Sequence, residues 1–156
     1  MKILFTRLIS LTIIFALSLG NPIDSPSQEQ YASLQKDFLQ IADKMEILIE
    51  KSLPQLPTGE EYEHFRTEFQ SFLKKKRLYA SITPGENCEN KILSFFDDFA
   101  DILKYFVLRP PRSAIAEQIV QIFNANGMEK IKADVENLVA TNIKRSDFEK
   151  YLVRNC

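Results

Sequence analysis

Four sets of side chains in this sequence of 156 residues have the types and spacing for chemistry: Cys88 with Cys156, the carboxylates Asp97, Asp98 and Asp101, the single histidine His64, and the basic run Lys74-Lys75-Lys76-Arg77. Two thiols on an oxidising route join as a disulfide. Carboxylates one helical turn apart can share a hard cation, which takes oxygen ligands. Histidine works as a base when a nucleophile and an orienting carboxylate are fixed around it. Consecutive cations suit an anionic surface or a dibasic-directed protease.

Asp97-Asp98-Phe99-Ala100-Asp101 resembles, over five residues, the DDxxD pattern with which helical isoprenoid synthases hold magnesium against a diphosphate. The second metal motif of those enzymes is missing, and the same spacing arises wherever a helix turns an acidic face to water, so we expect no metal and no cofactor. The acids nearest His64 are Glu60, Glu61 and Glu63, in the first turns of its own helix. With Cys88 taken up in a bridge, no nucleophile, base and orienting group converge, and the chain reads as a non-enzyme with no catalytic residue assigned. Lys74 to Arg77 closes a helix, where cations complement the last carbonyls. A solvated helix end is the plain reading; an anionic-surface patch and a processing site are the alternatives.

Compartment comes from the first residues. Lys2 and Arg7 flank the start of an apolar stretch from Leu8 to Leu19 that closes on Ser18-Leu19-Gly20. This is the pattern of a secretory signal peptide, shorter than the roughly 20 apolar residues of a membrane span. We therefore expect residues 1–20 to be a signal, residues 21–156 to form a single domain beginning at Asn21, and the protein to be secreted. Export makes Cys88 and Cys156 candidates for an intramolecular bridge; a bridge to a second chain and free thiols stay open. Losing Lys2 and Arg7 takes the formal net charge from -1 to -3, which argues against nucleic acid as a partner. With 45% hydrophobic and 26% charged residues, the chain has the composition of a folded domain rather than a disordered one.

Proline and glycine punctuate the elements that must position these groups. A first helix starts near Pro26, carries Tyr31, Leu34, Phe38, Ile41, Met45 and Leu48 on one stripe, and stops at Pro54 and Pro57. Thr58 with Glu61 predicts a capping box that opens a second helix with Tyr62, Phe65, Phe69, Phe72 and Leu73 inward. Thr83-Pro84-Gly85-Glu86 predicts another, with proline at the first helical position of a third helix. That helix carries Cys88, Ile92, Phe95, Phe99, Ile102 and Phe106, widened by Phe96 and Leu103. Pro110-Pro111 between Arg109 and Arg112 forbids continuation, and Tyr105 to Leu108 is the one stretch open to a strand reading. A fourth helix with Ile115, Ile119, Ile122 and Phe123 stops at Asn126-Gly127. A fifth carries Met128, Ile131, Val135, Leu138 and Val139 and frays near Thr141-Asn142. Ser146 with Glu149 predicts a last box, opening a short helix with Phe148, Tyr151 and Leu152.

Short connections between amphipathic segments predict an all-α, single-domain up-down bundle of about five helices plus a short C-terminal helix. The first and third stripes also fit a seam between chains, but their apolar flanks favour an intramolecular core and a monomer. Of twelve phenylalanines, ten lie beyond residue 20, and there is no tryptophan. Phe95, Phe96, Phe99, Leu103 and Phe106 make either a dry core or the lining of an apolar-ligand cavity. Function then divides between a secreted, non-enzymatic protein that binds an unknown extracellular protein and a carrier of a hydrophobic small molecule or lipid. Neither has a transmembrane segment once the signal is removed.

Overall fold

The computed structural model describes residues 26–107, 113–140 and 143–156. The expected signal at 1–20, the expected start at Asn21, the tandem prolines Pro110 and Pro111 with their flanking arginines, Thr141-Asn142 and the side chain of Val139 lie outside the described residues. Six helices form: α1 Gln28–Ser52, α2 Glu60–Tyr79, α3 Cys88–Val107, α4 Ala114–Ala125, α5 Met128–Val139 and α6 Arg145–Val153. A 3₁₀ turn, Leu53–Gln55, follows α1, and no strand occurs among the described residues. The stretch open to a strand reading is the last turn of α3 as far as Val107.

Side-chain pairs fix the topology. Gln35 donates to the Tyr79 hydroxyl at one end of the α1–α2 pair, while Arg66 reaches Leu53 at the other, so the two run antiparallel. Tyr79 packs on Phe95, and Phe69 on Phe106, which sets α3 antiparallel to α2. The fourth column is two helices laid end to end along α1. Asn126 at the head of α5 meets Ser52 and Asp134 meets Lys44, while α6 continues downward with Phe148 on Phe38 and Tyr151 on Tyr31. The bundle is thus up, down, up, down, with α4 closing the pole where α1 and α3 end. There Gln118 accepts from the Tyr62 hydroxyl, and Phe123 packs against both Phe69 and Phe106. Short connections dictate antiparallel neighbours for α1 to α3; the division between α5 and α6 is legible in the sequence, whereas their stacking into one column and the crossing of α4 are not visible in the periodicity.

One continuous core fills the interior. All eight apolar positions read on the third helix are buried, from Cys88 to Phe106. Tyr31, Phe38, Phe65, Ile115, Ile122 and Leu138 are half-buried and pack at its edge.

Helix starts depart from all three predicted boxes. Gly59, not Thr58, takes the cap of α2, so Glu61 stands two residues from the cap rather than three and the reciprocal bonds cannot form. Beyond Thr83-Pro84, Gly85 and Asn87 take left-handed φ of 141° and 63°, which a right-handed helix excludes. The chain turns there, and α3 begins only at Cys88, with the amide of Lys91 donating to the Asn87 carbonyl at 3.0 Å. Lys144 caps α6 with no side-chain bond, leaving Ser146 inside the helix. The caps that do form were not predicted. Ser27 and Gln30 make a capping box, with Ser27 Oγ accepting from the Gln30 amide at 3.2 Å and Gln30 Oε1 accepting from the Ser27 amide at 2.7 Å, and Ser113 caps α4 one way, its Oγ accepting from the Ala116 amide. The Asn126-Gly127 stop holds: Gly127 has φ 115°, open to glycine without a Cβ penalty.

Two ties secure the ends of α1 and α6. Arg66 collects three backbone carbonyls of the proline-punctuated α1–α2 connection: Nη1 donates to Leu53 O at 3.1 Å, which also accepts from the Leu56 amide, and Nη2 donates to Leu56 O at 2.7 Å and Pro57 O at 2.8 Å. At the opposite pole Cys88 and Cys156 are bridged within the chain, with Cα atoms 5.5 Å apart. Closing a loop across a sequence separation of 68 removes unfolded-state entropy worth about 4 kcal/mol in the chain-entropy account. Charge-assisted bonds to a partly buried guanidinium outweigh neutral ones. Arg66→Met should therefore lower the unfolding free energy by about 2–4 kcal/mol in urea titration, and Arg66→Lys, with one donor centre instead of a fork, should recover less than half of the loss.

Candidate interaction face

The basic run sits in the last two turns of α2, and its members are not alike. Lys76 turns toward α1, bonding Asp43 at 2.7 Å and also Glu46. Arg77 reaches Glu50 at 2.8 Å and Glu46 at 3.6 Å, and Lys75 turns the other way to Asp98 of α3 at 2.6 Å. Lys74, exposed, has no ion-pair partner among the described residues. Partial burial by itself would lower the Lys76 pKa, but bonds to Asp43 and Glu46 and their charges outweigh it and hold the ammonium above its ordinary 10.5. Three of the four cations are thus spent within the molecule, leaving little net positive field for an anionic surface. The helical conformation of all four also keeps them from the extended form that a protease needs.

Beside this seam lie the two large apolar side chains that stand exposed among the described residues, Ile47 at 66% and Leu78 at 53%. Ile47 shares a stripe of α1 with Asp43 and Glu50, and Leu78 follows Lys74 by one turn on α2. Leu78 also lines a shallow depression of about 360 Å³ on α2 with Gln70, Leu73, Lys74 and Arg77. The α1–α2 face therefore presents two apolar side chains on either side of an ionic strip.

Phe95, Phe96, Phe99, Leu103 and Phe106 are all buried in the core: Phe95 packs on Phe96 and Phe99, whereas Phe106 lies further along α3 against Phe69 and Phe123. Phe96 stacks on Phe38 at 4.2 Å between ring centroids, Phe99 meets Phe38 edge-on at 4.8 Å and Phe72 at 5.3 Å, and Phe106 meets Phe123 at 4.7 Å. A wider groove, of about 600 Å³, lies between α2 and α3, and none of the five lines it. Phe65, Phe69 and Ile102 contribute its apolar surface, beside His64, Glu68, Lys75, Asp98 and Asp101.

That groove gathers the remaining candidate groups without making a catalytic set. His64 Nε2 lies 3.2 Å from Glu68 on the solvent side. Ser71 is seven residues beyond His64 on the same helix, about 10 Å along its axis, and its hydroxyl points instead to Asp98 at 3.5 Å. The three aspartates of the DDxxD stretch diverge: Asp97 pairs with Arg145 of α6, Asp98 with Lys75, and Asp101 is exposed. Arg145 is raised above its ordinary pKa, first by its bond to Glu149 and then by Asp97. Among the described residues no group of three or more His, Cys, Asp or Glu side chains is placed to hold a metal ion, and no helix is long and apolar enough to cross a membrane.

Native protein should resist a dibasic-directed protease at Arg77, with cleavage appearing only once urea unfolds α2; rapid cleavage of the folded chain, read by mass, would show the run to be accessible. Lys76→Met should cost about 1–2 kcal/mol at neutral pH. Because the folded pKa is raised, the Lys76 contribution is fully present below the unfolded value and is lost as pH rises through the folded one, so the variant should lose less stability than the parent above pH 10.5. No protein-family model, curated protein or solved structure matches this chain, so its own surface chemistry carries the functional reading.

Proposed function

We propose that the protein is a secreted, bridged helical bundle without enzymatic activity that acts by binding a protein partner through the α1–α2 face. The observation that carries this reading is a contrast. The aromatic side chains of the interior are satisfied by one another, whereas Ile47 and Leu78 stand exposed beside a set charge pattern. Exposed apolar side chains beside fixed charges are the makings of a binding patch, in which desolvation supplies affinity and the charges fix register. Held by ion pairs to its neighbour, each long side chain of the strip loses less freedom on docking than a free one would.

A carrier of a hydrophobic small molecule draws less support. The rings of α3 fill their own space, and the groove between α2 and α3 mixes three phenylalanine and isoleucine side chains with charged ones. Dry apolar cargo prefers a lining with few polar groups.

Photoreactive phenylalanine placed at Ile47 and at Leu78, irradiated in the fluid that receives the secreted protein, should give one discrete protein adduct shared by both positions. Ala133 and Glu136 on the exposed face of α5 serve as controls and should give none. Equal yields from all four positions would sink the assignment of the face. An apolar compound seen by native mass spectrometry and released on denaturation, with no protein adduct, would put the carrier in its place.

A further inference from the structure

We infer that the Cys88–Cys156 bridge is a thiol-operated latch: its reduction releases α6 alone and uncovers an aromatic face on α1 and α3, while the rest of the bundle stays folded. Four features of the molecule lead there. First, the bridge joins a buried sulfur to an accessible residue, since Cys88 is 4% exposed whereas Cys156, the last residue described, lies in the exposed tail Arg154 to Cys156. Second, α6 spans nine residues and has no side-chain cap, which is shorter than the roughly 12–15 residues at which even favourable helices become marginal on their own. It therefore depends on docking, and the bridge is what confines its C-terminal end to the start of α3.

Third, what α6 covers is aromatic. Phe148 lies over Phe38 and Phe96, and Tyr151 stacks on Tyr31 at 5.1 Å. Lifting α6 leaves Tyr31, Phe38 and Phe96 facing water as one patch. Fourth, the remaining columns are tied independently of α6: Asn126 to Ser52, Arg66 to the α1–α2 connection, and Phe123 to Phe69 and Phe106 at the far pole. The polar bonds that stay with α6 are Arg145 to Asp97 at its start and Arg154 to Gln28 at its end, both exposed and weak against water.

The exchange is that of a dithiol reductant of the thioredoxin kind. Its thiolate attacks Sγ of Cys156, breaking the protein S–S bond, forming a mixed disulfide and releasing Cys88 as a thiol after protonation. The second thiol of the reductant then displaces Cys156, so that two electrons and two protons pass to the protein and the reductant leaves as a disulfide.

Hydrogen exchange read by mass spectrometry, on the whole protein with and without such a dithiol, tests this. Reduction should cut protection across Arg145–Val153 by about tenfold or more, while peptides of α2 and α3 around Phe72 and Phe99 change by less than about twofold. An apolar dye should bind the reduced form only. Cys156→Ser without reductant should reproduce both effects; if that variant fails to fold, the reduced parent chain decides alone. Unchanged protection of α6 after complete reduction, shown by two titratable thiols, overturns the latch, and so does loss of protection throughout the molecule, which would make the bridge a staple of the entire fold.

Discussion

The structure depends on a dry stack of phenylalanine rings where four columns meet. Phe38 of α1, Phe72 of α2, Phe95, Phe96 and Phe99 of α3 and Phe148 of α6 contact one another at centroid separations from 4.2 to 6.5 Å. Phenylalanine brings volume and no polar atom, so such a centre admits no water and no charge. Charged side chains are displaced to the seams between helices, and there they pair: Lys76 with Asp43 and Glu46, Lys75 with Asp98, Lys44 with Asp134, Arg145 with Asp97 and Glu149. The same exclusion explains why groups with chemical potential end up apart. A catalytic set needs polar groups converging in a sheltered space, and here the sheltered space is filled with rings.

Much of this was legible in the chain. A stripe that repeats every three and four residues can only bury itself as a helix, and the positions from Cys88 to Phe106 are all inside. Pro54, Pro57 and the Asn126-Gly127 pair mark true boundaries because their constraints are local. Capping boxes are another matter. Their signature is four residues long, and whether the box forms depends on which residue becomes the cap. Gly59 displaced Thr58, and the left-handed Asn87 moved the start of α3 past Thr83 altogether. Ser27 with Gln30 has the same signature and does form, so pattern alone does not separate the working cases from the idle ones.

Long-range ties were the part that periodicity does not carry. Arg66 reads as one more polar residue of α2, yet it holds three carbonyls of a turn that precedes it. Asn126 reads as a helix stop, yet its side chain also donates to Ser52, the buried polar side chain of α1. Each is a meeting of residues far apart in sequence, and only the assembled bundle brings the pairs together. The basic run is contiguous in the sequence and so visible there. Its partners on α1 and α3, which turn a cationic segment into a nearly neutral seam, were not predicted, because the stripe pattern tells which face is apolar and not which acid faces which base.

The contact between Gln28 and Arg154 places the first turn of α1 beside the end of α6, at the pole that also holds the bridge. Traced through these neighbours, the bundle is nearly a ring. The start of α1 and the end of α6 could be joined by a short linker, and new ends opened in the exposed turn at Pro84 to Asn87, giving a circular permutant of residues 26–156 with every column in place.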